Sequence, residues 1–254
     1  MALLLWCLGY PDQALRQCQE ALAPARGLAQ PHSLAFAHSF AATLYQLRRE
    51  AQHTRAQAEA SIELCREQGF TFRLAHGTVL RGWVLTTQGQ HEGGMAQIRE
   101  SLAAYRAAGI ELGLPYYLAL LAEGYRQAGP ADEAFGMLAD ALATAHRTGE
   151  RWCEAELYRL QGEFFLRQHN PRQQRAEACF HRALAIARGQ QAKSWELRAA
   201  MSLGRLWQQQ GRHDAARQAL AAVYERFTEG FDSVDLQEAR ALLGELSCDK
   251  PSHT

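Results

Sequence analysis

The residues best placed to do chemistry are the carboxylates Glu154, Glu156 and Glu163 in "CEAELYRLQGEFF". On a helix Glu156 and Glu163, two turns apart, face the same way, and paired carboxylates can act as the acid and base of glycoside hydrolysis. Arg159 stands between them at i+3 and i+4, the spacing of helical ion pairs, so a charge-paired surface is the reading. A working acid would need burial or a neighbouring like charge to raise its pKa, and the surrounding sequence suggests neither. Zinc needs spaced Cys and His ligands, and neither His32 with His38 nor His169 with His181 offers a pair one helical turn apart. GxxxxGK[ST], GxGxxG and GxSxG, which build phosphate cradles and nucleophile elbows, are absent. No catalytic, cofactor-binding or metal-binding residue is expected, and no cofactor.

Composition narrows the classes further. The chain has 254 residues, 47% hydrophobic and 21% charged, with 27 Lys+Arg against 27 Asp+Glu. A formal charge of zero is not the basic footprint of a nucleic-acid or membrane-surface binder. Cysteines at 7, 18, 65, 153, 179 and 248 form no CxxC pair, which suits free thiols in a reducing cytoplasm. The opening "MALLLWCLGY" lacks a basic leader and a cleavage site, so it reads as half a helix rather than a signal peptide. No apolar run approaches the roughly 18 residues of a membrane span. A cytoplasmic protein without membrane contact is expected.

The elements that position these residues announce themselves by repetition. A small residue recurs at Ala2, Ala42, Gly82, Ala122, Gly162 and Gly204, and a large one follows three residues later at Leu5, Tyr45, Leu85, Tyr125, Phe165 and Trp207. A second small column runs Ala14, Thr54, Gly94, Ala134, Ala176, Ala216. The step is 40 residues, with one step of 42 in each column. The extra residues fall in the turn "RQHNPRQQRAE", where added length costs little closure entropy. Within each unit apolar residues follow i, i+3, i+4, i+7, as at Leu118, Leu121, Ala122 and Tyr125. Gly9, Gly89, Gly129 and Gly211 suit the left-handed residue past a helix end, and Pro11, Pro130 and Pro171 suit the first turn of the next helix. Gly69, Gly109 and Gly149 close units 40 residues apart. Each repeat is therefore two antiparallel helices. The first small column is expected where helix A meets its own helix B, the second where helix B meets the next helix A.

The succession of small, aromatic, turn glycine, alanine and alanine resembles the tetratricopeptide repeat in a form of about 40 residues. The resemblance runs from Ala2 to about Phe227 and implies an all-α, right-handed α-α superhelix of about six repeats: 1–29, 30–69, 70–109, 110–149, 150–190 and 191–230. A capping helix at 233–247 completes a single solenoid domain, 1–247, before a disordered tail, 248–254. "AELYRLQGEFFL", "AEACFHRALAIARGQQAKSWELRAAMSLGRLWQQQGR" and "GFDSVDLQEARALL" resemble the C-terminal arrays of bacterial signal-transduction (STAND-type) ATPases, often associated with class III nucleotide cyclases. That resemblance implies a non-catalytic interaction or regulatory module, a fragment of a larger signalling protein. Leu3, Leu4, Leu5 and Trp6 would then lie at an uncapped, exposed edge, giving self-association as a homo-oligomer or a disordered start.

In such repeats helix A lines the concave groove, which here carries Trp6, Phe36, Trp83 and Tyr116, followed by Glu123, Arg126, Glu156, Arg159, Glu163, Arg198 and Arg205. A peptide, a helix or an intramolecular segment with one apolar and one charged end would suit it. Trp83 and Tyr116 either face the groove or pack between helices; the arginines either project or pair with the glutamates. The alternative is a small effector in the groove that biases an attached ATPase or cyclase. A long open channel favours a peptide, a closed aromatic pocket a small effector.

Overall fold

The computed structural model describes residues 1–27, 30–128, 131–168 and 172–248, and they are all-α, with no strand among them. Helix pairs follow one another: α1 (Ala2–Cys7) and α2 (Pro11–Gly27), α3 (Pro31–Leu47) and α4 (Ala51–Gln68), α5 (Thr71–Thr87) and α6 (His91–Ala107). Then come α7 (Leu114–Ala128) and α8 (Ala131–Thr148), α9 (Glu154–Arg167) and α10 (Gln173–Gly189), α11 (Lys193–Gln209) and α12 (His213–Tyr224), and lastly α13 (Val234–Cys248). The second helices begin at 11, 51, 91, 131, 173 and 213, the ruler of the small-residue columns including its one longer step. Gly129, Pro130, Pro171 and the tail beyond Cys248 lie outside the described residues.

Turn chemistry accounts for the breaks. Gly9, Gly89 and Gly211 take φ of 87°, 85° and 74°, which costs glycine nothing. Arg49 and Gln191 adopt φ of 63° and 55° at comparable breaks, positions that carried no turn signal because neither is glycine.

Small residues allow the helices to close on each other. A Cβ on Gly82 would stand 2.6 Å from Ile98 Cγ1 and 2.9 Å from the Gly94 carbonyl, so α5 meets its own partner α6 there. A Cβ on Gly162 would stand 2.4 Å from the Phe180 ring, the same contact between α9 and α10. The second column needs a correction. A Cβ on Gly94 would meet the Gly82 carbonyl at 2.5 Å and Thr86, so it faces its own helix A rather than the next one. The close approach of α5 to the preceding α4 is made instead at Gly77, where a Cβ would stand 2.9 Å from Ile62 Cγ1. The two glycines of a pair face each other because backbone contact needs a small residue on both sides.

The chain divides into two compact units. The first comprises residues 1–5 and 13–151, the second 6–12 and 152–254. In the first, α3 to α8 pack in order, and α5 also contacts α3 and α7, forming a layer of first helices. In the second, α9 to α13 pack in order, and α11 also contacts α9 and α13. The cap helix thus takes the place of a further first helix, with Leu236, Ala239, Leu242 and Leu246 in the core.

The N-terminal edge differs from expectation at Trp6. Leu4 is 56% exposed, but Trp6 is only 3% exposed, edge-on to Trp195 at 4.8 Å within the second unit. Asp12 and Glu229 anchor the same segment: Gly230 N–H donates to Asp12 Oδ2 at 2.9 Å and Asp12 N–H to Glu229 Oε1 at 3.0 Å. An aromatic ring beside a complementary ring is buried wherever the fold brings them together, whatever its place in the chain.

Candidate functional site

In the first unit the expected groove residues are cross-linked rather than open. Trp83, on α5, donates its indole N–H to Glu123 Oε2 on α7 at 3.0 Å, two positions one repeat apart. Tyr116, at the start of α7, donates its hydroxyl to Gln46 Oε1 on α3 at 2.5 Å. Both rings are buried, at 3% and 4% exposure. Between them His76 holds three helices together: Thr43 Oγ1 lies 2.9 Å from Nε2 and the Tyr117 hydroxyl 2.8 Å from Nδ1. The Thr43 hydroxyl also lies 3.1 Å from the Ser39 carbonyl, so each ring nitrogen of His76 is matched by a hydroxyl able to donate or accept. Burial, then the charge of Arg73, push the imidazole pKa down to about 4. The apolar half of the expected groove is therefore mortar between first helices. Glu123 and Arg126 are half-buried.

Phe36 is the exception. It is 42% exposed and stacks on Phe40, itself 38% exposed, with centroids 4.5 Å apart. The guanidinium carbon of Arg73 lies 4.1 Å from the Phe36 centroid, 5.1 Å from Phe72 and 5.7 Å from Phe40.

In the second unit the charged residues form one network across α9, α11 and α13. Arg159 forks onto Glu156 at 2.8 and 2.7 Å and reaches Glu163 at 3.3 Å. Ser202 donates to Glu163 at 2.6 Å. Arg198 binds Asp235 at 2.7 Å, approaches Glu156 at 3.9 Å, and lies over the rings of Trp6 and Trp195 at 5.2 and 5.1 Å. Arg205 is exposed and pairs with Glu238 at 3.2 Å. Glu156 and Glu163 thus share one cation as their spacing suggests, but the pair is not the exposed surface expected: the Arg159 and Glu156 side chains are only 15% and 11% exposed. Among the described residues no cluster of three His, Cys, Asp or Glu side chains is placed to hold a metal. Among them too, no helix is long and apolar enough to cross a membrane.

The structure therefore sorts the eleven expected residues by unit: Phe36, Trp83, Tyr116, Glu123 and Arg126 in the first, Trp6, Glu156, Arg159, Glu163, Arg198 and Arg205 in the second. Sequence reasoning missed Phe40, Arg73, Gln46 and Asp235 as their partners. Phe36 and Phe40, four apart, carried a signal of one shared face; Arg73 carried none, because those two rings come from another helix. One open cleft of about 380 Å³ lies between α6 and α8 over α7, lined by Leu118, Leu121 and Met137 and by Arg99 and Glu133.

No protein-family model matches the chain, and no curated protein does. A solved structure does: BtubC (BKLC) from P. vanneervenii, at 18% identity and a TM-score of 0.58, covering 96% of this chain and 95% of that one. The chain shares that protein's fold. At this identity the likeness extends to the helical architecture alone.

Proposed function

We propose that the chain is a non-catalytic docking module of tetratricopeptide type, a regulatory region of a bacterial signalling protein that captures a protein segment. The single observation supporting this is the exposed Phe36–Phe40 stack. Most of the other aromatic and charged residues of the expected groove are already satisfied inside their own unit, whereas these two rings spend apolar surface on solvent. Exposed aromatics beside an arginine are the composition of interaction hot spots. The first test places a photo-crosslinking phenylalanine analogue at Phe36, and at exposed Arg217 as control, in the chain expressed in its own host. A single protein segment crosslinked from position 36 and not from 217 supports docking; equal crosslinking at both, or none at 36, overturns it.

The small-effector reading draws on a different place, the cleft between α6 and α8, whose volume falls in the range of ligand sites. It is lined by Arg106 and Asp140, which are paired with each other. Thermal stabilisation by a metabolite screen, lost on Met137→Trp, would support it; stabilisation unaffected by that substitution would not.

A further inference from the structure

Arg73 is half-buried, yet it forms no hydrogen bond and no ion pair with any described residue. Its planar guanidinium instead lies against three phenylalanine rings, which satisfy its faces but not its N–H donors. The groups whose charge bears on it are Tyr117, Tyr105 and Cys65. All three are neutral near pH 7: burial raises the tyrosine pKa values, that of Tyr105 to about 12, and raises the Cys65 thiol as well. His76, on whose pKa the Arg73 charge bears, is neutral too, so among the described residues the guanidinium charge has no counter-ion. Burial lowers its own pKa, the mark of a charge poorly served by its surroundings. Partly desolvated donors of this kind bind an ionised acceptor more strongly than exposed ones do.

We infer that Phe36, Phe40, Phe72 and Arg73 form an anchor for a carboxylate carried on an apolar protein segment, the acidic group meeting the Arg73 N–H donors while its apolar neighbours cover Phe36 and Phe40. The inference rests on the docking reading and supplies the partner's chemistry. Charge complementarity selects an anion, and the exposed stack beside it selects apolar flanks over a bare ion.

The purified 254-residue chain is probed with immobilised synthetic peptides in which a central Asp, Glu, Asn, Gln or Lys is flanked by Leu and Phe. 4-Phenylbutyrate serves as a free small carboxylate. Wild type is expected to bind the Asp or Glu peptides about tenfold or more tighter than their Asn or Gln counterparts, the size of a charge-assisted hydrogen bond. Arg73→Met should abolish that difference, while Phe36→Ala with Phe40→Ala should weaken acidic and neutral peptides alike. Arg73→Met is expected to melt no lower than wild type, since it removes a charge that no carboxylate among the described residues offsets. Peptides that bind without carboxylate preference, or keep it in Arg73→Met, overturn the anchor and leave docking standing. Phenylbutyrate binding that depends on Arg73, with no peptide bound, overturns both in favour of a small effector. Absence of all binding overturns the anchor.

Discussion

His76 shows how a single residue reports the packing around it. In water its imidazole would titrate near 6.5, while buried between Thr43 and Tyr117, with the charge of Arg73 adding to the effect of burial, it does so at about 4. As pH falls below 6.5 the unfolded chain takes up a proton that the folded chain refuses, so stability drops until about pH 4, where both forms are protonated. The total is roughly 3 kcal/mol. His76→Asn should flatten the fall in unfolding free energy between those two limits, measured by urea titration against wild type so that titrations common to both cancel. An undiminished slope would mean that the ring is not held neutral. The same residue scale explains why Trp83 and Tyr116 could not be assigned from sequence. A helix position fixes which way a side chain leaves its own axis, but burial depends on whether Glu123 and Gln46 wait on a neighbouring helix to satisfy its polar atom.

Elements are set by close approach and by turns, and each makes a separate prediction. Gly162 lies under the Phe180 ring, so Gly162→Ala should destabilise by about 1–3 kcal/mol through overpacking. Gly204 belongs to the same sequence column, but a Cβ there would come no nearer than 3.6 Å, to Leu242, which is ordinary contact. Gly204→Ala should therefore be tolerated or stabilise by about 0.5–1 kcal/mol, the cost of glycine in a helix interior. Melting temperatures that moved the same way in both variants would contradict the packing geometry. At the break after α10, Gln191 is exposed with φ of 55°. Gln191→Gly should stabilise by about 1 kcal/mol, relieving a left-handed residue, as read by chemical denaturation. The sequence columns predicted both Gly162 and Gly204 as close contacts and said nothing of Gln191. Periodicity marks a position's place on a helix, whereas crossing distance varies from one pair to the next.

For the whole molecule, repeat arrays gain stability from nearest neighbours, so damage stays local. In Gly162→Ala, hydrogen exchange should accelerate in α9 and α10 while α4 to α6 keep wild-type protection; uniform acceleration would show a single cooperative block. Such additivity explains how much was readable in advance. The helix pairs, their forty-residue step and the glycines of the turns are local matters of period and backbone conformation, so sequence alone determined them. The expected groove was not local. Trp6 leaves the presumed exposed edge for Trp195, nearly two hundred residues away. The second unit's Glu156, Arg159, Glu163 and Arg198 close into a network completed by Asp235 of the cap helix, and Arg73 meets Phe36 and Phe40 from another helix. Only the tertiary structure decided which polar and aromatic side chains are used up inside the fold and which remain for a partner, because a side chain is satisfied by groups distant in sequence whose distances the chain's periodicity does not encode.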